Sequence, residues 1–231
     1  MVSPRPLTVR LMEAGDIYRG ARPRVVELVS GLSPKELGTV APGTPLWTVK
    51  DIVGHLTGVP ADVLAGRTEG AGSPEWTGRQ VAERKDKSLD EVLGEWSEVA
   101  LQFEPLFENV PQIARTGFDV LVHEHDIRGA LGISGSSDPE MVDSVLQVAV
   151  NGMGERLPSA LRIRAGVTEW VVGPGSDATA TVTTDPFQLF RTIFGRRSNA
   201  QVMAWEWDGD PKPYLDHLSF FGPLPGEDVV E

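Results

Sequence analysis

Two residues with metal-ligand chemistry stand at helical spacing in the middle of the chain. Asp119 and His123 are four residues apart, so on a helix their side chains stack on one face. A carboxylate and an imidazole placed in this way can close on one cation. Asp126 follows three residues after His123 on the same stripe, where it can accept a hydrogen bond from the imidazole and orient it. Such pairs also occur by chance, so a metal site requires a further ligand.

His55 is the candidate for that further ligand. Its apolar neighbours predict a buried helix face, and a buried histidine needs a partner. Taken alone, His55 is more simply interpreted as a hydrogen-bonded core residue. Together with Asp119 and His123 on another helix, it predicts a three-ligand site, because bundle cores build metal sites from facing helices. Two imidazoles and one carboxylate suit Zn²⁺ and also Ni²⁺ or Fe²⁺, and three protein ligands leave a position open, as in catalytic sites.

The two remaining histidines are predicted to be structural. His125 lies two residues from His123, about 200° around a helix, and cannot share a metal with it while the helix stays regular. The sequence therefore predicts a packed or hydrogen-bonded imidazole at His125. His217 lies between an acidic and an apolar residue, which indicates no ligand role.

Arg196 and Arg197 are the candidate catalytic cations, in that order. They follow the apolar end of a predicted helix, where a cation is favoured by the negative end of the helix dipole. The functional alternative is a clamp that reaches from the C-terminal part of the chain toward the metal and binds the carboxylate of a substrate or cofactor. Both interpretations stay open at this point.

The composition is that of an ordinary globular protein and excludes several kinds of chemistry. The chain has 231 residues, 40% hydrophobic and 23% charged, with a net charge of −12 that argues against duplex nucleic acid as a partner. It has no cysteine, which excludes disulfides, thiolate metal sites and a catalytic thiol of its own. No apolar run is long enough to span a membrane, and the first residues lack the apolar core of a signal peptide. We expect a cytoplasmic protein without a membrane partner; its oligomeric state is left open.

The predicted elements form a helical part followed by a mixed part. Apolar spacing of three to four residues predicts five helices, over 13–32, 48–66, 88–109, 111–132 and 138–157. Alternation with period two then predicts strands at 161–165 and 179–183, joined as a hairpin through the glycine-rich segment 173–177. A helix from Asp185 and a last strand over 202–207 complete the chain. The predicted fold class is α + (α+β), a bundle over residues 1–157 and a small α+β domain over 158–231.

Two motifs in the helical part resemble those of a known family. They are Trp47-x3-Asp51-x3-His55-Leu56 and Asp119-x3-His123-x2-Asp126-Ile127-Arg128. Their order and spacing resemble the mycothiol-dependent maleylpyruvate isomerase family, within the wider DinB-like group of metal-binding proteins. Residues 158–231 resemble, more weakly, the sterol-carrier-like C-terminal domain of these proteins. The resemblance implies a DinB-like four-helix bundle followed by that domain, with His55 and His123 as metal ligands.

The same resemblance implies the chemistry. Mycothiol would take the open metal position and attack a small electrophilic, anionic substrate, so the protein would be an isomerase or an S-transferase. One departure is that the isomerase has a glutamate where this chain has Asp119, which is one methylene shorter. Two other hypotheses remain: a non-catalytic metal-binding protein of the same fold, serving as a sensor or regulatory partner, and a C-terminal domain that binds an apolar ligand.

Overall fold

The fold described here is that of a computed structural model, which describes residues 12–231. In that range the chain forms ten α-helices and two small sheets, with two short 3₁₀ turns between α5 and α6. The helices are α1 (Ala14–Val29), α2 (Pro34–Leu37), α3 (Val49–Leu64), α4 (Pro74–Arg84), α5 (Leu89–Phe103), α6 (Ala114–Ala130), α7 (Pro139–Gly154), α8 (Pro186–Ile193), α9 (Asn199–Met203) and α10 (Lys212–Leu215). The strands are β1 (Val40–Ala41), β2 (Thr44–Thr48), β3 (Leu161–Ala165), β4 (Thr168–Val172), β5 (Ala180–Thr184) and β6 (Glu206–Asp208).

The helical part is built around α1, α3, α5 and α6. Helix α1 packs along α6, while α3 packs against α5, α6 and the added helix α4. The start of α3 is the one predicted from its capping residues: the Thr48 side chain accepts a hydrogen bond from the Asp51 N–H, and the Asp51 carboxylate accepts one from the Thr48 N–H. This cap fixes the first turn of the helix that carries His55.

The C-terminal part is a four-stranded sheet with short helices. Its strand order is β4-β3-β5-β6; β3 and β5 run parallel, and the two outer pairs are antiparallel. Helices precede the sheet, and α8 and α9 lie between β5 and β6 in the chain, so the mixed helix and sheet architecture agrees with the predicted α + (α+β) class.

The predicted hairpin between 161–165 and 179–183 is wrong. The chain turns instead at Gly166, whose φ of 59° is in the left-handed region that favours glycine, and returns as β4. The segment after that turn contains threonine, tryptophan and two valines, all of which favour strands. Since β4 occupies the outer edge of β3, β5 pairs with the other edge and runs parallel to it.

Three smaller features also differ from the sequence prediction. Helix α4 begins inside segment 66–78, whose Gly, Ser and Pro residues predict a loop, and continues past that segment to Arg84; Ser73 caps it and Pro74 stands at its first turn. The turn-rich stretch before α3 forms the β1–β2 hairpin. The predicted strand over 202–207 is reduced to Glu206–Asp208, because its first residues end helix α9.

One hydrophobic cluster runs through both parts of the molecule. It joins bundle residues such as Trp96 and Leu121 to sheet residues such as Ile163 and Val182. Helix α7 connects the two parts, because it packs on α8 and β4 while its Met141 side chain reaches Gly20 of α1. Among residues 12–231, no helix combines the length and apolar character needed to cross a membrane.

Candidate metal centre

His55, Asp119 and His123 converge at the contact between α3 and α6. One ligand atom from each residue lies within 4.8 Å of the other two. Nε2 of His55 is 3.1 Å from Oδ2 of Asp119, and Nε2 of His123 is 3.5 Å from Oδ1 of the same carboxylate. The two imidazole side chains are 4% and 5% exposed, whereas the Asp119 side chain is 31% exposed. The cluster is therefore closed behind the rings and open at the carboxylate.

The β1–β2 hairpin covers one side of the cluster, a contact that the sequence did not predict. Trp47, on β2, packs over both rings, with centroid distances of 4.8 Å to His55 and 5.7 Å to His123. The two imidazoles meet edge-on, 5.1 Å apart. Trp47 thus limits rotation of both rings and shields one side of the cluster from water.

Asp126 holds His123 as the helical spacing predicted. Its Oδ2 is 2.8 Å from Nδ1 of the imidazole, so that prediction is confirmed. Arg196 donates to both oxygens of Asp126, through Nε at 3.2 Å and Nη2 at 2.8 Å. Burial acts to raise the pKa of Asp126, but Arg196, Arg191 and His123 outweigh it and hold that pKa well below 3.8. The ionised carboxylate accepts a hydrogen bond from Nδ1–H, which leaves the lone pair of Nε2 of His123 free to bind a cation.

Arg191 is the residue of this network that sequence reasoning missed. It is fully buried, and it donates to the Val122 carbonyl and to the carboxylates of Asp126 and Glu231. The ion pairs raise its already high pKa further against the opposing effect of burial. Its position inside the strongly amphipathic helix α8 hides it among core residues, so no local signal marks its role.

Arg197 contacts a different set of groups from Arg196. Its guanidinium donates to Gln188, to the Arg196 carbonyl and to Glu231, and to none of the three converging residues. Arg196 and Arg197 are both buried. The structure thus brings Arg196 to the carboxylate behind His123 and directs Arg197 toward Glu231.

The hairpin approaches the Asp126 network very closely at Gly43. A Cβ atom there would collide with Asp126 and would lie 2.9 Å from Cγ of Arg196 and 3.0 Å from Nη2 of Arg191. Only a residue without a side chain lets the hairpin lie against this network. Gly43 therefore helps to keep Trp47 over the rings.

His125 points away from the cluster, as predicted. Its Nδ1 donates to the Leu121 carbonyl at 2.8 Å, and its Nε2 accepts from the Ser137 N–H at 3.1 Å. Burial is the main cause that lowers its pKa to about 4, so the ring is neutral near pH 7. Both predictions for His125, a hydrogen-bonded ring and a face opposite His123, are confirmed. His217 lies just after α10, outside the cluster.

The converging atoms fit a divalent cation. Ligands bound tetrahedrally at about 2.1 Å lie about 3.4 Å apart. Each Nε2 atom is at about that distance from one oxygen of Asp119, 3.1 Å from Oδ2 for His55 and 3.5 Å from Oδ1 for His123, and one ligand atom from each residue lies within 4.8 Å of the other two. Burial acts to raise the pKa of Asp119, but His123, His55 and Arg196 together lower it, so the carboxylate is ionised. Among the described residues 12–231, His55, Asp119 and His123 form the one group of three or more His, Asp and Glu side chains arranged to hold a metal.

The fold and the cluster together define a class: a helical bundle with a His/Asp/His site between its helices, followed by a small α+β part. The structure is similar to that of a mycothiol-dependent maleylpyruvate isomerase in which one histidine is replaced by alanine. That match has a TM-score of 0.57 and 12% identity, and it covers 94% of this chain and 95% of the other. A second structure of the mycothiol-dependent maleylpyruvate isomerase matches with a TM-score of 0.53 and 13% identity, over 82% and 91% of the two chains.

Sequence comparisons add no relative. A scan against protein-family models and a search of the curated proteins both find no match. At 12–13% identity the structural likeness is one of fold. This likeness in fold confirms the resemblance to the isomerase family that the His55 and Asp119–His123 motifs indicate.

Proposed function

We propose that this protein is a metal-dependent, mycothiol-dependent isomerase or S-transferase that acts on a small, electrophilic, anionic substrate. The observation that carries the proposal is the convergence of two imidazole nitrogens and a carboxylate within 4.8 Å, in the fold of the mycothiol-dependent maleylpyruvate isomerase. His55, Asp119 and His123 are the proposed metal ligands, and Zn²⁺ is the first candidate; Ni²⁺ and Fe²⁺ suit the same donor set.

The proposed thiol is a small molecule, because the chain has no cysteine. When bound, a divalent metal lowers the pKa of a coordinated thiol and holds the thiolate in place. Access is from the side of Asp119, whose carboxylate is 31% exposed while both rings are nearly buried. Trp47 covers the rings on the hairpin side, so the thiolate would meet its substrate where little water competes.

The isomerisation needs no oxidant or reductant. The bound thiol would supply a thiolate that adds to a conjugated cis double bond and is expelled again as the trans isomer, so every bond that forms also breaks. In an S-transferase the thiol as a whole, sulfur and its own proton, would add across the double bond. His55, Asp119 and His123 would hold the metal that positions this thiol.

Arg196 remains the first candidate for the cation that offsets this negative charge. It lies close enough to lower the pKa of Asp119 electrostatically, while its guanidinium also positions Asp126 behind His123. Preorganised charge of this kind acts where charge develops in the transition state. Arg197, the second candidate, would act by holding Glu231 against Arg191.

We also propose that the chain is divided into two domains at residue 157. Residues up to 157 would form a DinB-like four-helix bundle, represented by α1, α3, α5 and α6. Residues 158–231 would form a sterol-carrier-like domain, represented by the sheet β4-β3-β5-β6 and its helices. The start of β3 at Leu161 supports this boundary, and α7 would be the helix that joins the two domains.

Metal analysis of protein purified without a histidine tag tests the ligand set. We expect about one metal per chain in the parent and a loss of most of it in His55→Ala and in His123→Ala, because two ligands cannot hold the ion as three do. His217→Ala is the matched control and should keep its metal. Full metal in both ligand variants would show that the assignment is wrong.

The catalytic proposal is tested on metal-loaded protein. Calorimetry with mycothiol should show binding that is lost in His123→Ala. A panel of electrophiles, maleylpyruvate included, should show turnover only when mycothiol is present. Arg196→Met should reduce that turnover about tenfold or more, measured with the metal in excess so that a weaker hold of His123 does not lower the occupancy of the site. A metal-loaded protein with neither mycothiol binding nor thiol-dependent turnover would be the non-catalytic metal-binding protein of the same fold.

A further inference from the structure

A buried chain of hydrogen bonds lies behind His55, on the side opposite Asp119. Nδ1 of His55 is 2.8 Å from Oε1 of Gln80, and Nε2 of Gln80 is 2.9 Å from Oδ2 of Asp62. His55 is 3% exposed, and Gln80 and Asp62 are both 0% exposed. Gln80 comes from α4 and Asp62 from the last turn of α3, so the chain connects two helices.

Asp62 fixes which end of the Gln80 amide faces His55. A carboxylate can only accept hydrogen bonds, so it must face the amide N–H₂ group. Burial acts to raise the pKa of Asp62, but hydrogen bonds from Gln80, Arg67 and Arg79 outweigh it and lower the pKa. The carboxylate is therefore ionised and needs donors from every neighbour. The Gln80 carbonyl is left to face the imidazole.

The carbonyl in turn fixes the proton on the ring. Oε1 of Gln80 has no hydrogen to give, so at 2.8 Å the hydrogen must come from Nδ1 of His55. In a neutral imidazole with its proton on Nδ1, the other nitrogen carries a lone pair. That nitrogen, Nε2, faces the ionised Asp119 carboxylate at 3.1 Å, so in this form two acceptors meet there and a cation between them satisfies both.

We propose that Gln80 and Asp62 are positioning residues that hold His55 in its Nδ1–H form and so make Nε2 the metal-binding atom. This inference rests on the metal site of the proposed function. Histidines that bind metals commonly donate their second ring N–H to an acceptor, and such acceptors affect metal affinity by about 10- to 100-fold.

The packing of α3 against α4 is shaped to admit the Gln80 side chain. A Cβ atom on Gly58 would lie 2.5 Å from Cβ and 2.6 Å from Cγ of Gln80, which is too close for any real contact. One turn earlier, a Cβ on Gly54 would lie 3.5 Å from Cβ of Arg84. Glycine is less favourable than alanine inside a helix, so its presence at this position indicates a packing requirement. The space that Gly58 leaves is filled by the residue that holds His55.

His123 is held in the same form by a different acceptor. Its Nδ1 faces the carboxylate of Asp126, which two arginines compensate, whereas Nδ1 of His55 faces a neutral amide. Both rings therefore present Nε2 to one point. A neutral acceptor on one ring and a charged one on the other keeps the total negative charge around the site lower than two carboxylates would.

The test compares Gln80→Leu and Asp62→Asn with Thr57→Val in the full-length chain. Gln80→Leu removes the acceptor at similar size. Asp62→Asn leaves Gln80 in place but lets its amide turn over, since asparagine can both donate and accept. Thr57→Val is the matched control: it lies on the same buried helix, and its hydroxyl has no hydrogen-bond partner among the described residues.

Two measurements separate positioning from mere structural support. Nitrogen-15 NMR of the metal-free protein, in an Asp119→Ala background that removes the competing acceptor at Nε2, reports which ring nitrogen of neutral His55 carries the proton. Competition with a chromophoric chelator gives the Kd for Zn²⁺. We expect Nδ1–H in the parent and in Thr57→Val, and a shift toward Nε2–H in both test variants. Their Kd should rise about 10- to 100-fold, and that of the control should stay within about twofold.

The outcomes distinguish this inference from the proposed function. If both test variants keep Nδ1–H and a Kd within about twofold of the parent, the positioning role is wrong. If Gln80→Leu does not fold, Asp62→Asn decides alone by the same two readouts. A parent that binds no Zn²⁺ would overturn the metal site, whereas the proton position in metal-free protein would still decide whether Gln80 and Asp62 control the ring.

Discussion

Asp126 accepts hydrogen bonds from three other side chains of the candidate centre. Its two oxygens accept from Nδ1 of His123 and from the guanidinium groups of Arg191 and Arg196, and its side chain is fully buried. Each partner of such a group is needed, because a buried charge without compensation is costly. At this scale, the chemistry of His123 depends on cations that come from helix α8 and the loop after it.

Replacement of Arg191 tests that dependence. We expect Arg191→Met to lower the free energy of unfolding by about 3 kcal/mol or more, because Asp126 and Glu231 each lose a buried partner. Urea denaturation followed by circular dichroism measures the change. Arg164→Met is the control: this arginine also pairs with a carboxylate, that of Glu169, but it is 54% exposed, so its loss should cost about 1 kcal/mol or less. Equal losses in the two variants would contradict the role given to the buried network.

At the scale of elements, the position of the centre depends on how closely the helices approach one another. Helix α6, which carries Asp119 and His123, packs along α1, and Gly117 of α6 lies against the backbone of Ala14. A Cβ atom on Gly117 would collide with the Ala14 carbonyl. Because this contact is with backbone, it cannot be relieved by a change of rotamer.

Two glycine substitutions should therefore act in opposite directions. We expect Gly117→Ala to destabilise the protein by about 1–3 kcal/mol, through overpacking that separates α1 from α6. Gly94→Ala, on the exposed side of α5, should stabilise it by up to about 1 kcal/mol, because no atom lies within 4 Å of its Cβ and alanine favours the helix. Thermal unfolding of both variants measures the effects. If Gly117→Ala were as stable as Gly94→Ala, the close approach would be wrong.

At the scale of the whole molecule, one apolar core extends from the bundle to the sheet. The cluster includes residues of α1, α3, α5, α6, α7 and α8 and of strands β3, β4 and β5, so the stability of the fold is not concentrated at the candidate centre. Small zinc domains differ, because they lack such a core and unfold without metal. We therefore expect the protein to fold without the cation, and the bound cation to stabilise the arrangement of its ligands.

Removal of metal tests this difference. Because the core is complete without the cation, we expect chelation to lower the melting temperature while the far-ultraviolet circular dichroism at room temperature stays largely unchanged. Added Zn²⁺ should restore the melting temperature of the parent. The same treatment of His123→Ala should have little effect, since that variant has lost a proposed ligand. A loss of helix signal on chelation at room temperature would mean that the metal is structural.

The sequence by itself determined the parts of the site that lie within one helix. Asp119, His123 and Asp126 share a face because spacings of three and four residues repeat the helical turn, whatever the rest of the fold does. The start of α3 followed in the same way from Thr48 and its capping partner three residues later. His125 points the opposite way for the same reason, because two residues along a helix correspond to a rotation of about 200°.

Only the tertiary structure decided which distant groups complete the site. Gln80 lies on helix α4, in residues for which the sequence predicts no element. Trp47 lies on a hairpin that replaces the predicted turn-rich stretch before it, and Arg191 lies within a helix that looks simply amphipathic. The parallel pairing of β3 with β5 was likewise missed, because strand order depends on which edge β4 occupies first. Contacts between residues far apart in the chain depend on the summed packing of whole elements. The spacing of residues in the sequence does not reveal this long-range packing, whereas four neighbouring residues are enough to define one turn of a helix.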